Sequence, residues 1–168
     1  KVIAEACAPH VKDGQSIILN PGSTGGLFEF MKVFKDKGVM VKIDWAETAS
    51  LPYGARLVDL GVVNILLDDK AIFFAAFPAT KTDEMFVEFK KMFPTAVKVK
   101  NILDTALNNG NPVSHPTGAI LNTGRIEFTK GNYLHYKEGI TPSVAKVMED
   151  LDKERMAVIR SYGLSEIS

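Results

Sequence analysis

A histidine framed by two prolines lies in the segment Asn109-Gly-Asn-Pro-Val-Ser-His-Pro-Thr-Gly118. Pro112 and Pro116 restrict the backbone on either side of His115 and pin its imidazole at a helix start. Imidazole is the side chain suited to proton exchange near neutrality, so His115 is a candidate acid–base group. A histidine near a turn is more often structural, and the framing by itself leaves both readings open. The three histidines, His10, His115 and His135, have no metal-ligand spacing, so no metal site is expected.

Two further segments carry polar groups where a sheet would present them. Asn20-Pro-Gly-Ser-Thr-Gly-Gly26 lies between a strand pattern and a helix pattern. Glycines there let backbone N–H groups approach a ligand, and a helix start favours anionic groups. It is neither the G-x-G-x-x-G dinucleotide fingerprint nor a P-loop, and a plain strand–helix turn would read the same. Asp44-Trp-Ala-Glu-Thr-Ala-Ser50 is expected to follow the next strand, where Glu47 and Thr48 would face the same crevice or simply be solvated. Arg56, in Tyr53-Gly-Ala-Arg56, could hold a carboxylate or sit exposed on a strand.

These residues need a scaffold, and the periodicity supplies one. Val2-Ile3, Ala6 and His10-Val11 recur at helical spacing and stop at Asp13-Gly14; Ser16–Asn20 reads as a buried strand. A helix begins near Thr24, with Leu27, Phe28, Met31 and Phe34 on one face and Gly38 as its stop; Val39–Ile43 reads as the next strand. Helix and strand in alternation predict an α/β sheet with parallel strands. Arg56–Leu60, Val62–Leu67 and Ala71–Phe77 read as an appended antiparallel hairpin region with turns at Gly61 and Asp68-Asp-Lys70. Thr82–Phe93 is helical with Met85, Phe86, Phe89 and Phe93 inward, and Ala96–Val99 is a last short strand. Beyond Asn101 the patterns are helical: Asn101–Asn108, Val113–Glu127, and a final helix capped by Thr141 and Pro142 and ended by Gly163. The expected fold class is therefore α/β followed by all-α, with domains at 1–105 and 106–168.

Bulk properties exclude several classes. Twenty basic and twenty acidic side chains cancel over the 168 residues, so no global field favours a nucleic acid. No apolar run approaches the roughly 20 residues that span a bilayer. Cys7 is the single cysteine and reads as a packed structural thiol. A cytoplasmic protein is expected. The chain opens at Lys1 inside a helical pattern, without a methionine or a leading strand, and reads as a piece of something longer.

Asn111-Pro-Val-Ser-His-Pro-Thr-Gly118, running on to Ala119–Glu127, resembles the start of the helical domain in the octopine/opine dehydrogenases. Tyr133-Leu-His-Tyr-Lys-Glu-Gly-Ile-Thr-Pro-Ser-Val-Ala145, the Asn20–Gly26 turn, and Glu47-Thr48 followed by Leu51-Pro-Tyr-Gly-Ala-Arg56 match as well, in order along the chain. The resemblance implies the second half of a Rossmann-type sheet leading into a helical substrate domain. It implies NAD or NADP as cofactor, and reductive condensation of an α-keto acid with the amino group of an amino acid. By similarity, His115 is the catalytic acid–base group, and Asn20, Pro21 and Gly22 lie beside the nicotinamide. Glu47, Thr48, Arg56, Asn111, Ser114 and Thr117 are then the substrate-binding candidates. The family's first phosphate-binding turn is not in this sequence, so weak cofactor binding and no turnover are expected of the chain alone.

Two rivals stand beside that reading. One is a ketopantoate-reductase-like or glycerol-phosphate-like dehydrogenase, which uses a lysine as proton donor; Lys130, Lys137 and Lys146 lack the framing of His115. The other is a non-catalytic binding or homo-oligomerisation domain, with Met148, Leu151 and Val158 of the last helix against a partner.

Overall fold

The computed structural model describes residues 1–68 and 71–167, apart from the side chains of Leu67 and Asp68. Asp69 and Lys70, assigned to a turn above, lie outside the described residues. The chain divides into two compact units, Lys1–Ala106 and Leu107–Ser168.

In the first unit, α1 (Val2–Cys7) and a short 3-10 turn lead into β1 (Gln15–Leu19), then α2 (Gly26–Asp36) and β2 (Ile43–Thr48). A hairpin, β3 (Tyr53–Asp59) and β4 (Val62–Asp68), precedes β5 (Ile72–Phe77), α3 (Thr82–Met92), β6 (Ala96–Lys98) and α4 (Ile102–Leu107). The main sheet runs β1-β2-β5-β6, and β3-β4 forms a separate two-stranded sheet. β1 is parallel to β2, with Leu19 opposite Glu47. β5 runs antiparallel to β2 and parallel to β6.

Alternation along the strands sends successive side chains to opposite faces, and both faces are covered. Trp45 and Ala75 pack with Leu27, Val33 and Phe34 of α2 and with Ala4 and Ala8. Ala46, Ile72, Phe74 and Ala76 pack with Met85 and Phe89 of α3. The Phe34 ring meets Trp45 edge-on at 5.3 Å, and Phe74 stacks on Phe89 at 4.6 Å. Cys7 packs partly buried against the first of these clusters.

Three sequence expectations shift. The strand placed at Val39–Ile43 is instead Ile43–Thr48. The apolar Val-Met-Val triplet drew the expectation, yet Met40 is exposed, while the true strand buries the polar Glu47 and Thr48. The Ala71–Phe77 run does not extend the hairpin but is an interior strand of the main sheet, which its continuous apolar character suits. Phe28, expected on the inward face of α2, is exposed on one side and meets the Phe77 ring edge-on.

The second unit holds α5 (Asn111–Leu121), α6 (Thr123–Phe128), α7 (His135–Glu138) and α8 (Pro142–Ser161). Thr141 caps α8 as expected, its side chain accepting from the Val144 N–H at 3.3 Å. α8 packs on α5. The tail returns to the start of the unit: the Asn108 amide donates to the Ser165 carbonyl and accepts from Ile167 N–H. Replacing Thr141 with Ala should cost about 1 kcal/mol of stability in urea unfolding, the usual worth of a lost N-cap. No helix among the described residues is long and apolar enough to cross a membrane.

Candidate functional site

In an open α/β sheet, ligands meet the carboxyl ends of parallel strands. Here β1 and β2 end side by side, so the turn after Leu19 lies against Glu47 and Thr48. Gly22 N–H donates to the Thr48 carbonyl at 2.9 Å. The Thr48 hydroxyl lies 2.6 Å from Asn20 Oδ1 and 3.0 Å from the Ser50 carbonyl. The Asn20–Pro21 peptide bond is cis. Ser23, Thr24 and Gly25 then take positive φ, the sharp reversal that lets α2 start immediately.

Glu47 lies under this turn. It is 1% exposed, and its Oε1 accepts from the Thr105 hydroxyl at 2.8 Å. Its Oε2 is buried with no hydrogen-bond partner among the described residues. Burial pushes the Glu47 carboxyl above the ordinary glutamate range, offset in part by the Thr105 hydroxyl and by the nearby Leu27 N–H, which falls short of hydrogen-bond geometry at Oε2. A Cβ on Gly22 would overlap this carboxylate and come within 2.8 Å of the Glu47 Cβ, so only glycine lets the turn and the strand approach so closely.

The raised carboxyl has a consequence for stability. Below the ordinary glutamate range it is protonated in the folded and the unfolded chain alike. As pH rises from there through the folded-state value, the unfolded chain has released its proton first, so stability is lost. Glu47→Gln keeps the acceptor for Thr105 and removes the buried charge. The variant should lose that slope, read by urea unfolding across the pH range. An unchanged slope would contradict this assignment.

The second unit carries the histidine. Gly110 precedes α5, Pro112 sits in its first turn, and Pro116 lies within it, so His115 belongs to the body of the helix rather than to a preceding turn. Its ring is exposed, with Nε2 2.7 Å from the Tyr136 hydroxyl. Asn111 is exposed at the helix start, where its N–H donates to Asn109 Oδ1 at 3.0 Å. Ser114 Oγ reaches toward the Gly110 carbonyl at 3.4 Å, and the buried Thr117 gives its proton to the Val113 carbonyl at 2.6 Å. Gly118 packs on the His135 ring.

The first unit thus brings Asn20, Pro21, Gly22, Glu47 and Thr48 together. Arg56 stays apart from them on the hairpin sheet, paired across to Asn64, exposed, and bonded to the neighbouring Ala55 carbonyl. Thr105 and Tyr136 were not singled out from sequence. A threonine 58 positions from its glutamate partner gives no local signal. Tyr136 lies within the Tyr133–Ala145 segment, but no spacing rule joins it to His115.

Residues 98–168 match the family model described as NAD/NADP octopine/nopaline dehydrogenase, alpha-helical domain. The opine dehydrogenase of Arthrobacter sp. (strain 1C) is 37% identical over 163 residues, 97% of this chain and 45% of that protein. A solved octopine dehydrogenase with NADH and L-arginine superposes with a TM-score of 0.63 at 21% identity, over 94% of this chain and 40% of that one. Apo yersinopine dehydrogenase gives 0.71 at 14%, over 91% and 39%. At these identities the structural likeness speaks for the fold: a Rossmann-like sheet followed by a helical domain. The chain spans less than half the length of the curated relatives it matches. Residues 98–168 thus carry the alpha-helical domain of the octopine/nopaline dehydrogenases, and the chain along nearly its whole length is similar to a curated opine dehydrogenase.

Proposed function

We propose that the chain works as part of an NAD(P)H-dependent opine-type dehydrogenase, an oxidoreductase acting on CH–NH bonds that joins an α-keto acid to the amino group of an amino acid. The observation that carries the reading is the turn Asn20–Gly22 seated closely on Glu47 and Thr48 at the ends of two parallel strands. The residues present fit the nicotinamide end of the cofactor. Gly22 offers bare backbone there, and the orphaned Glu47 Oε2 is an acceptor in want of a donor. When bound, the nicotinamide supplies hydride to the carbon that was the keto-acid carbonyl.

The residues divide the remaining work. His115 moves the proton as the amine adds to the carbonyl and water leaves. Glu47 Oε2 accepts from the amino group of the amino-acid substrate, with Thr48 beside it. Asn111 and Ser114 at the start of α5 are candidate donors for a carboxylate, and Arg56 on the hairpin is a separate one. Thr117 joins them when its hydroxyl turns from Val113. NAD and NADP both suit these residues. Amino-acid metabolism in the cytoplasm is the setting we infer, from the chemistry and the single cysteine.

The test compares NAD(P)H consumption by the intact enzyme with pyruvate plus an amino acid against pyruvate alone. The account expects consumption only with both. Equal rates with pyruvate alone would favour a carbonyl reductase. The 168-residue chain alone should bind cofactor weakly and turn over no substrate, because no G-x-G-x-x-G turn is present in it. β1 is the edge strand of the sheet, over a largely apolar groove lined by Ile3, Cys7, Val11, Ile17, Leu19 and Phe30. Adding the phosphate-binding half of a relative's nucleotide domain in trans should raise cofactor affinity, read by fluorescence titration; no gain would count against the reading.

A second reading has its own observation: Val147, Leu151 and Val158 of α8 are partly exposed. Homo-oligomerisation through them would make the sedimentation coefficient rise with concentration, and Leu151→Glu would abolish the rise.

A further inference from the structure

We infer that Tyr136 is the positioning residue of His115, fixing which imidazole nitrogen carries the proton. The inference rests on the reading of His115 as the acid–base group. The structure builds the pair from both sides. His115 and Gly118 are three residues apart on α5 and so share a face of the helix. His135 and Tyr136 are consecutive in α7. Gly118 has no side chain, and a Cβ there would lie 2.6 Å from His135 Cε1, so the His135 ring lies directly on the α5 backbone. That contact seats α7 against α5 and sets the next residue, Tyr136, at His115. The phenol oxygen lies 2.7 Å from Nε2, and the rings meet edge-on at 6.1 Å.

The other end of α7 is held as firmly. A Cβ on Gly139 would overlap the Tyr133 hydroxyl and lie 2.6 Å from the His135 carbonyl oxygen, so the residue after α7 has no room for a side chain. Arg125 of α6 pairs with Glu138. Asn122 donates to both the Gly118 and the Gly139 carbonyls, at 2.8 and 3.0 Å, which ties α5 to the end of α7. Tyr136 is thus presented by a braced turn rather than by a loose loop.

The chemistry follows from the donor inventory. A phenol can donate to a bare imidazole nitrogen or accept from a protonated one. With Nε2 engaged by Tyr136, Nδ1 is the nitrogen left to exchange a proton with substrate, and the Tyr136 hydroxyl sets the tautomer in which it does so. Tyr136 touches neither the reacting carbon nor the cofactor; it acts through His115.

The test uses Tyr136→Phe, which keeps the ring and removes the hydroxyl. In the 168-residue chain, imidazole 15N shifts report which nitrogen of His115 is protonated, with His10 as an internal control. The expected result is a changed Nδ1/Nε2 distribution at His115 and none at His10. In the intact enzyme, kcat should fall about ten-fold, the size of one hydrogen bond, with KM for the keto acid held. Unchanged 15N shifts, or an unchanged kcat, would overturn the inference. His115→Ala, run in parallel, separates the two claims. If it leaves turnover intact, the acid–base reading of His115 falls, while the 15N shifts still decide whether Tyr136 sets the tautomer.

Discussion

His115→Ala should lower kcat/KM for reductive condensation by roughly 10²- to 10⁴-fold, the range general acid–base groups supply. The fold should be untouched. The ring is exposed, its side-chain hydrogen bond among the described residues is to Tyr136, and alanine in a helix interior is favourable. Far-ultraviolet circular dichroism and urea midpoints should therefore match the parent protein while steady-state rates collapse. Addition of imidazole to the variant should restore part of the rate, since the deleted group is small and its site open. A drop of less than about three-fold, below what even one lost hydrogen bond costs, would remove His115 from the chemistry.

Gly22→Ala should damage the Asn20–Gly22 turn of the first unit. The added methyl meets the Glu47 carboxylate and the Cβ of Glu47, which sits on a central strand and cannot retreat. Either the turn lifts from the strand, breaking the Gly22–Thr48 hydrogen bond, or β2 shifts. Overpacking of this kind costs about 1–3 kcal/mol, and a lifted turn would misplace the backbone we propose for the nicotinamide. The expected result is a lower urea midpoint together with at least a ten-fold weaker NAD(P)H affinity by fluorescence titration, a ratio equivalent to about 1.4 kcal/mol. In the double variant Gly22→Ala with Glu47→Ala, stability should recover in part relative to the additive expectation, because the overlap with the carboxylate goes while the contact with the Cβ at position 47 stays. Normal affinity in Gly22→Ala would separate this turn from the cofactor.

The sequence was most readable where local rules suffice. Thr141-Pro142 announced α8, the alternating strand and helix patterns announced the sheet, and Asn20–Gly26 declared itself as a strand–helix turn. It was least readable where buried polar residues override the pattern. Glu47 and Thr48 are buried polar residues inside β2, and their polarity pushed the expected strand four residues toward the exposed Met40. A strand that buries polar groups at its end does not look like a buried strand. The Thr105–Glu47 bond and the Tyr136–His115 pair are tertiary contacts across 58 and 21 positions, beyond any local periodicity. Family resemblance supplied the role of His115, whereas the geometry supplied its partner.

The most direct measurement follows the hydride. The intact enzyme is given cofactor deuterated at the hydride-donating carbon, a keto acid and an amino acid, and the product is analysed by mass spectrometry and proton NMR. The account predicts a secondary amine carrying both carboxylates, with one deuterium on the carbon that had been the keto-acid carbonyl. Deuterium in a 2-hydroxy acid, with the amino acid left unreacted, would contradict it.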